Sequence, residues 1–279
     1  MLLWLLSVSL VLCGAAAGKV RNLCYAACYG HLQAAKHFLE QGAAVDAKDD
    51  NGYTAMMWAA QEGHLDVVKY LVEQGAAVNA KEKRGSTAMM WAAQKGYLDV
   101  VKYLVEQGAA VDAKADYGYT AMMLAAQKGH LDAVKYLVEQ GADVDAKDDD
   151  GYTAMMLAAQ KGHLDAVKYL VEQGADVDAK DDDGYTAMIY ATQQGHLDAV
   201  KNLVEQGADV NATSKHGCTA MMLAAKKGHL DAVKYLVEQG ADVNAASKYG
   251  YMIYAAQSPD VMNYLVEQGA DVNAKTKHG

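Results

Sequence analysis

Six of the nine histidines recur at one position: His31, His64, His130, His163, His196 and His229. Imidazoles ligate metals and carry protons, so such a column invites a metal or acid–base reading. The spacing argues against it. Each lies 33 residues, or twice that, from the next. Each therefore belongs to its own copy of one unit. Packed helices sit roughly 8–10 Å apart, too far for successive imidazoles to share an ion. The column reads as turn geometry. Acidic runs at Asp148-Asp149-Asp150 and Asp181-Asp182-Asp183 invite a calcium reading. A calcium loop centred on Gly151 needs acids at its first and twelfth places, which here are Ala146 and Leu157. Cys24 and Cys28 stand one helical turn apart with parallel side chains, so a disulfide between them would be strained. No phosphate loop, nucleophile elbow or asymmetric Ser/His/Asp or Cys/His set is present. The expectation is a non-enzymatic chain with no catalytic residue, no metal ligand and no cofactor.

The elements that carry these residues are copies of one another. Residues 118–147 and 151–180 read the same thirty letters. The glycine that closes each Glu-Gln-Gly falls at Gly42, Gly75, Gly108, Gly141, Gly174, Gly207 and Gly240, always 33 apart, and then at Gly269 after 29. A fixed period of this size implies stacked units that bury their faces on neighbours. In residues 148–180, Thr153 can cap a helix over the strong helix formers Ala154–Lys161. Gly162 breaks it. A second helix follows from His163 to Gln173, with Leu164, Val167, Leu170 and Val171 on one face and Asp165 suiting its N-terminal dipole. Gly174 ends it. The polar stretch Ala175–Tyr185 reads as a projecting turn or hairpin.

The pattern Gly-x-Thr-Ala-Met-Met…Ala-Ala…Gly-His-Leu-Asp…Gly-Ala-Asp-Val resembles the ankyrin repeat over about residues 20–279. The resemblance implies an all-α repeat fold, an ankyrin-type solenoid of helix-turn-helix units with hairpin-like loops. One departure is systematic: Thr-Pro-Leu-His becomes Thr-Ala-Met-Met at Thr54, Thr87, Thr120 and Thr153. The expected organisation is a signal peptide at 1–18, a capping repeat at 19–48, six repeats over 49–246, a shortened repeat at 247–275 and a tail at 276–279.

The units differ from one another in three columns. The hairpin tips vary, from acidic in the middle to basic at Lys215, Lys248 and Lys277. The residues after the Ala-Ala pair vary, as do those before it, such as Trp58, Trp91 and Tyr190. The last two columns share a helix face. By the resemblance these positions line a concave groove that holds a protein partner. The candidate contacts are Trp58, Glu62, Arg84, Trp91, Lys95, Tyr117, Lys128, Asp149, Asp150, Lys161, Asp182, Asp183, Tyr190, Lys215 and His216. Trp58 and Trp91 are the expected hot spots, because aromatics dominate interface energetics. Tyr53, Tyr119, Tyr152, Tyr185 and Tyr251 form a further aromatic row, read as packing. End-to-end self-contact through the last repeat is a second expectation.

Net charge is −10, which disfavours nucleic acid as the partner, since phosphate binding needs a basic face. The opening Met1–Cys13 is apolar and uncharged, and Gly14-Ala15-Ala16-Ala17-Gly18 follows. This matches a secretory signal cleaved after Ala17 or Gly18, and the run is short of the roughly 20 residues a bilayer span needs. The expectation is a secreted or extracytoplasmic protein. The alternative is an anchored or intracellular adaptor that retains this segment, with membrane contact only in that case. Asn211-Ala212-Thr213 is the one glycosylation sequon.

Overall fold

A computed structural model describes residues 17–245, 247 and 258–271. Among the described residues the regular structure is helical, with fifteen α-helices and no strand. In chain order these are α1 (Ala17–Cys28), α2 (Leu32–Glu40), α3 (Ala55–Gln61), α4 (Leu65–Glu73), α5 (Ala88–Lys95), α6 (Leu98–Glu106), α7 (Ala121–Lys128), α8 (Leu131–Glu139), α9 (Ala154–Lys161), α10 (Leu164–Glu172), α11 (Ala187–Gln194), α12 (Leu197–Glu205), α13 (Ala220–Lys227), α14 (Leu230–Glu238) and α15 (Pro259–Glu267). Odd and even members from α1 to α14 are the first and second helices of successive repeats. Most of the expected signal peptide, and the tips at Lys248, Tyr249 and Lys277, lie outside the described residues. So does Tyr251 of the aromatic row. Among the described residues no helix is long and apolar enough to cross a membrane.

The described chain falls into two compact units. One runs to Ala125 and takes in Asp132–Ala142; the other holds Ala126–Leu131 and the residues from Asp143 on. In the first, α1 packs on α3 and α3 on α5, while α2, α4 and α6 form a parallel row. In the second, α9, α11 and α13 form one row, and α10, α12, α14 and α15 the other.

Local chemistry explains each helix. Thr153 holds an extended backbone, and its hydroxyl accepts the Met156 amide at 3.3 Å. The Met156 sulfur in turn lies 3.5 Å from the Thr153 amide, so a thioether fills the carboxylate's place in a capping box. The same pairing recurs at Thr54–Met57 and Thr87–Met90. The second Met of the Thr-Ala-Met-Met departure is thus both cap and core; Met57, Met90, Met123, Met156 and Met222 are fully buried. At the far end of the second helix, Gly174 takes φ +89. Its amide bonds Val171 O at 2.9 Å and that of Ala175 bonds Leu170 O at 3.0 Å, closing a Schellman-type stop.

The face assigned to the second helix needs correction. Val167 and Leu170 are fully buried, and Ala166 joins them at 2% exposure. Leu164 and Val171 are only half-buried. The helix is pressed so closely between its neighbours that an alanine, not the larger Leu164, sits at the tightest contact.

Candidate partner-binding face

The hairpin tips are built by one carboxylate. Asp49 accepts the amides of Asn51 and Tyr53 on its Oδ1, at 2.9 and 3.0 Å. Asp148 and Asp181 do the same for the tips that follow them, and the Ser214 hydroxyl accepts the Cys218 amide at 3.1 Å. Such Asx turns hold the loop without a strand ladder. Within the first unit Asp116 N bonds Arg84 O at 2.8 Å; within the second Asp182 N bonds Asp150 O at 3.0 Å and Lys215 N bonds Asp183 O at 2.8 Å.

With Oδ1 shared by two amides, Oδ2 is left for the aromatic residue nine positions on. Trp58 Nε1 donates to Asp49 Oδ2 at 3.0 Å, and the Tyr190 hydroxyl donates to Asp181 Oδ2. The Tyr152 hydroxyl lies 2.7 Å from that of Tyr190. Burial first, then the bond to Asp181, pushes the Tyr190 hydroxyl far above the usual phenol range. Packed rings complete each cluster: Tyr53 lies 4.8 Å from Trp58 and 5.5 Å from Trp91, and Tyr190 lies 5.2 Å from Tyr152 and 5.5 Å from Tyr185.

Glu82 breaks this scheme. Its longer side chain gives one oxygen to Arg84 N at 2.8 Å and the other to Ser86 N at 3.0 Å. Both oxygens are turned to the loop and neither meets Trp91, whose buried Nε1 has no hydrogen-bond partner. The third tip departs again. Ala115 supplies no acceptor, the loop winds into a short 3-10 turn, and Tyr117 stands at φ 62 and ψ 16, 72% exposed. A left-handed tyrosine is uncommon and costs energy. Between these tips opens a cleft of about 550 Å³, lined among others by Tyr53, Arg84, Trp91, Asp116 and Tyr117.

Of the sequence candidates in the first unit, Glu62, Arg84, Lys95 and Tyr117 are exposed, and Trp58 and Trp91 half-buried. In the second unit Lys128, Asp149, Asp150, Lys161, Asp182, Asp183, Lys215 and His216 are exposed, while Tyr190 is buried. Sequence reasoning counted Asp49, Glu82, Asp148 and Asp181 with the variable tips and missed that they are the loops' internal acceptors. The signal was available: an acid stands nine residues before Trp58, Trp91 and Tyr190 alike.

The histidines serve the stack. His64 Nε2 lies 3.0 Å from Cys28 O, His163 Nε2 3.1 Å from Gln127 O and His196 Nε2 3.2 Å from Gln160 O. Among the described residues no three His, Cys, Asp or Glu side chains come together as a metal site. Burial pushes the Cys24 thiol up to about 12, which leaves it a poor nucleophile at neutral pH. At the sequon, the Asn211 amide donates to Gly240 O at 3.1 Å and accepts Asp242 N at 2.9 Å, so both its atoms are engaged.

A family model described as ankyrin repeats matches residues 7–82, 74–148, 142–214 and 212–276. The chain belongs to the ankyrin-repeat family. No curated protein matches it. Among solved structures, the crystal structure of the human ASB11 ankyrin repeat domain is similar, with TM-score 0.72 and 27% identity over 79% of this chain and 98% of that one. Ankyrin repeats are generally protein-interaction scaffolds, typically without catalysis. The first family match starts at residue 7, inside the segment read as a signal peptide.

Proposed function

We propose that this ankyrin-repeat protein is an exported, non-enzymatic scaffold that binds a protein partner on its concave groove, the face formed by the hairpin tips and first helices. The observation that carries the reading is the first unit's cleft, where half-buried Trp91 stands with exposed Arg84 and Tyr117, and Trp58 packs on Tyr53 of the lining. Aromatic and arginine side chains of this kind supply most interface energy. The acidic balance, a net charge of −10, favours protein over nucleic acid.

The export half rests on the apolar Met1–Cys13 and the small residues after it. Intact-mass analysis of the secreted or periplasmic fraction should find a chain beginning at Gly18 or Lys19. An uncleaved chain retained in the membrane or cytoplasm would overturn that half. The binding half is tested by cross-linking capture with the full chain, beside a bait carrying Trp58→Ala, Arg84→Gln and Trp91→Ala. The altered bait should lose the captured protein while still folding. Equal capture by both baits would reject the groove.

A further inference from the structure

Two departures from the array's own pattern meet in one cleft of the first unit. Glu82 replaces the tip aspartate and spends both carboxylate oxygens on backbone amides, at 2.8 and 3.0 Å. Trp91, which faces the same cleft, therefore keeps a buried indole N–H with no acceptor. Ala115 replaces the third tip's acid and leaves Tyr117 in the left-handed region, 72% exposed at the cleft's edge. A buried donor without a partner costs free energy, and strained backbone of this kind concentrates at binding sites. Neither is needed to build the repeat, since Asp49 with Trp58 satisfies the same geometry one unit earlier.

No acceptor of the cleft reaches the Trp91 indole: Glu82 serves the tip amides, and the Asp116 carboxylate, also in the lining, makes no bond to it. Among the described residues the Arg84 guanidinium, also in the lining, has no hydrogen-bond partner or ion pair. Lys83 Nζ is committed to the Asp50 carbonyl at 2.6 Å. Arg84 offers a cationic donor and Trp91 a neutral one, and a carboxylate can accept from both. We propose that this cleft receives an acidic side chain, a glutamate or aspartate carboxylate, from the protein partner, paired with Arg84 and accepting the Trp91 indole N–H. The proposal rests on the partner-binding reading above. The indole nitrogen is buried in the free protein, so side chains of the lining shift on binding, as interface rotamers commonly do. Tyr53 and Tyr117 then flank the entering chain.

The test follows the Trp91 indole ¹⁵N–¹H resonance of the full chain, assigned with Trp91→Phe. The probes are acetyl-glutamate amide, acetyl-glutamine amide and acetyl-lysine amide. The glutamate probe should move the resonance saturably, and the lysine probe should leave it in place. Arg84→Gln should weaken the glutamate response roughly tenfold, as loss of a charged hydrogen bond does. Glu82→Asp, which frees an oxygen for the indole, should weaken it too and raise the melting temperature. A resonance unmoved by the glutamate probe, or moved equally by the lysine probe, overturns the acidic-ligand assignment. If the triply substituted bait above has nevertheless lost its partner, the binding face stands and only its chemistry is wrong. If that bait keeps its partner, the face itself is wrong.

Discussion

His163 lies with its Nε2 3.1 Å from the carbonyl oxygen of Gln127, 36 residues earlier in the chain. The same ring sits over Gly129, where an added Cβ would come within 2.5 Å of Nδ1. One imidazole thus closes a hydrogen bond and fills the space that glycine leaves open, and both ties cross from one repeat to the one before it. His163→Ala should cost about 1–2 kcal/mol, the hydrogen bond plus lost packing. Gly129→Ala should cost at least as much, since φ is +77 and the ring blocks the new methyl. Urea unfolding of both variants tests this. A neutral His163→Ala would return the histidine column to other duties.

Asp148 is buried, and that burial raises its carboxyl above the usual range, partly offset by the amides of Tyr152 and Asp150. With the folded pKa above the unfolded one, the native state binds more protons across the window between them. Stability is therefore lost as pH rises through that window and stays lower above it. Asp148→Asn keeps the Oδ1 acceptor without the charge. It should be more stable than the parent at neutral pH, and the gap should close in acid below the ordinary carboxylate range. Unfolding midpoints for the pair across that span decide it. A gap independent of pH contradicts the assignment.

One column stitches neighbouring repeats. Asn79 accepts Ala110 N at 2.8 Å and donates to Gly108 O at 3.0 Å; Asn211 does both as well. At the equivalent places Asp145 and Asp178 accept at 3.0 and 2.9 Å but have no proton to give. Asp145→Asn and Asp178→Asn should each add a bond, to Gly174 O and Gly207 O, and each stabilise by about 0.5–1 kcal/mol. Calorimetry should find the double variant near the sum. Destabilisation by either would mean that the added donor finds no carbonyl.

Asn202 stands where other second helices carry a tyrosine that underlies a lysine of the preceding repeat, as Tyr103 does for Lys69 at 5.6 Å and Tyr235 for Lys201 at 5.8 Å. Its Oδ1 is buried without a partner. Asn202→Tyr should remove that orphan and restore the cation–π contact to Lys168, a gain of about 1–2 kcal/mol. A fall in the unfolding midpoint would show that the site has closed around the smaller side chain.

The repeat, its helices and their ends were legible in the chain because each depends on local chemistry. Thr153 as cap, Gly162 as break and Gly174 as stop act within a few residues of themselves. Tertiary relations were harder to read. Leu164 and Ala166 lie two residues apart, and hydrophobicity alone ranks the leucine as core. Only the closeness of the neighbouring helices puts the alanine inside. Leu170→Ala should accordingly cost about 2–5 kcal/mol, the range for a fully buried leucine, and Leu164→Ala distinctly less. The bonding role of the tip carboxylates escaped notice for a similar reason. Asp181 and Tyr190 look like two independent surface variations until the hairpin folds back on its helix and the hydroxyl meets the carboxylate. Glu82 differs from Asp49 by one methylene, and that methylene decides whether the neighbouring indole is satisfied.

A partner held by the hairpin tips and first helices of the first unit touches Tyr117 and leaves the second helices bare. The direct measurement places a photo-reactive benzoylphenylalanine in the full chain, at Tyr117 in one variant and at Lys102, an exposed position on second helix α6, in another. Each is irradiated with the captured partner. Adducts should form at position 117 and be nearly absent at position 102. Adducts of equal or greater yield at position 102 would put the partner on the second helices and contradict the account.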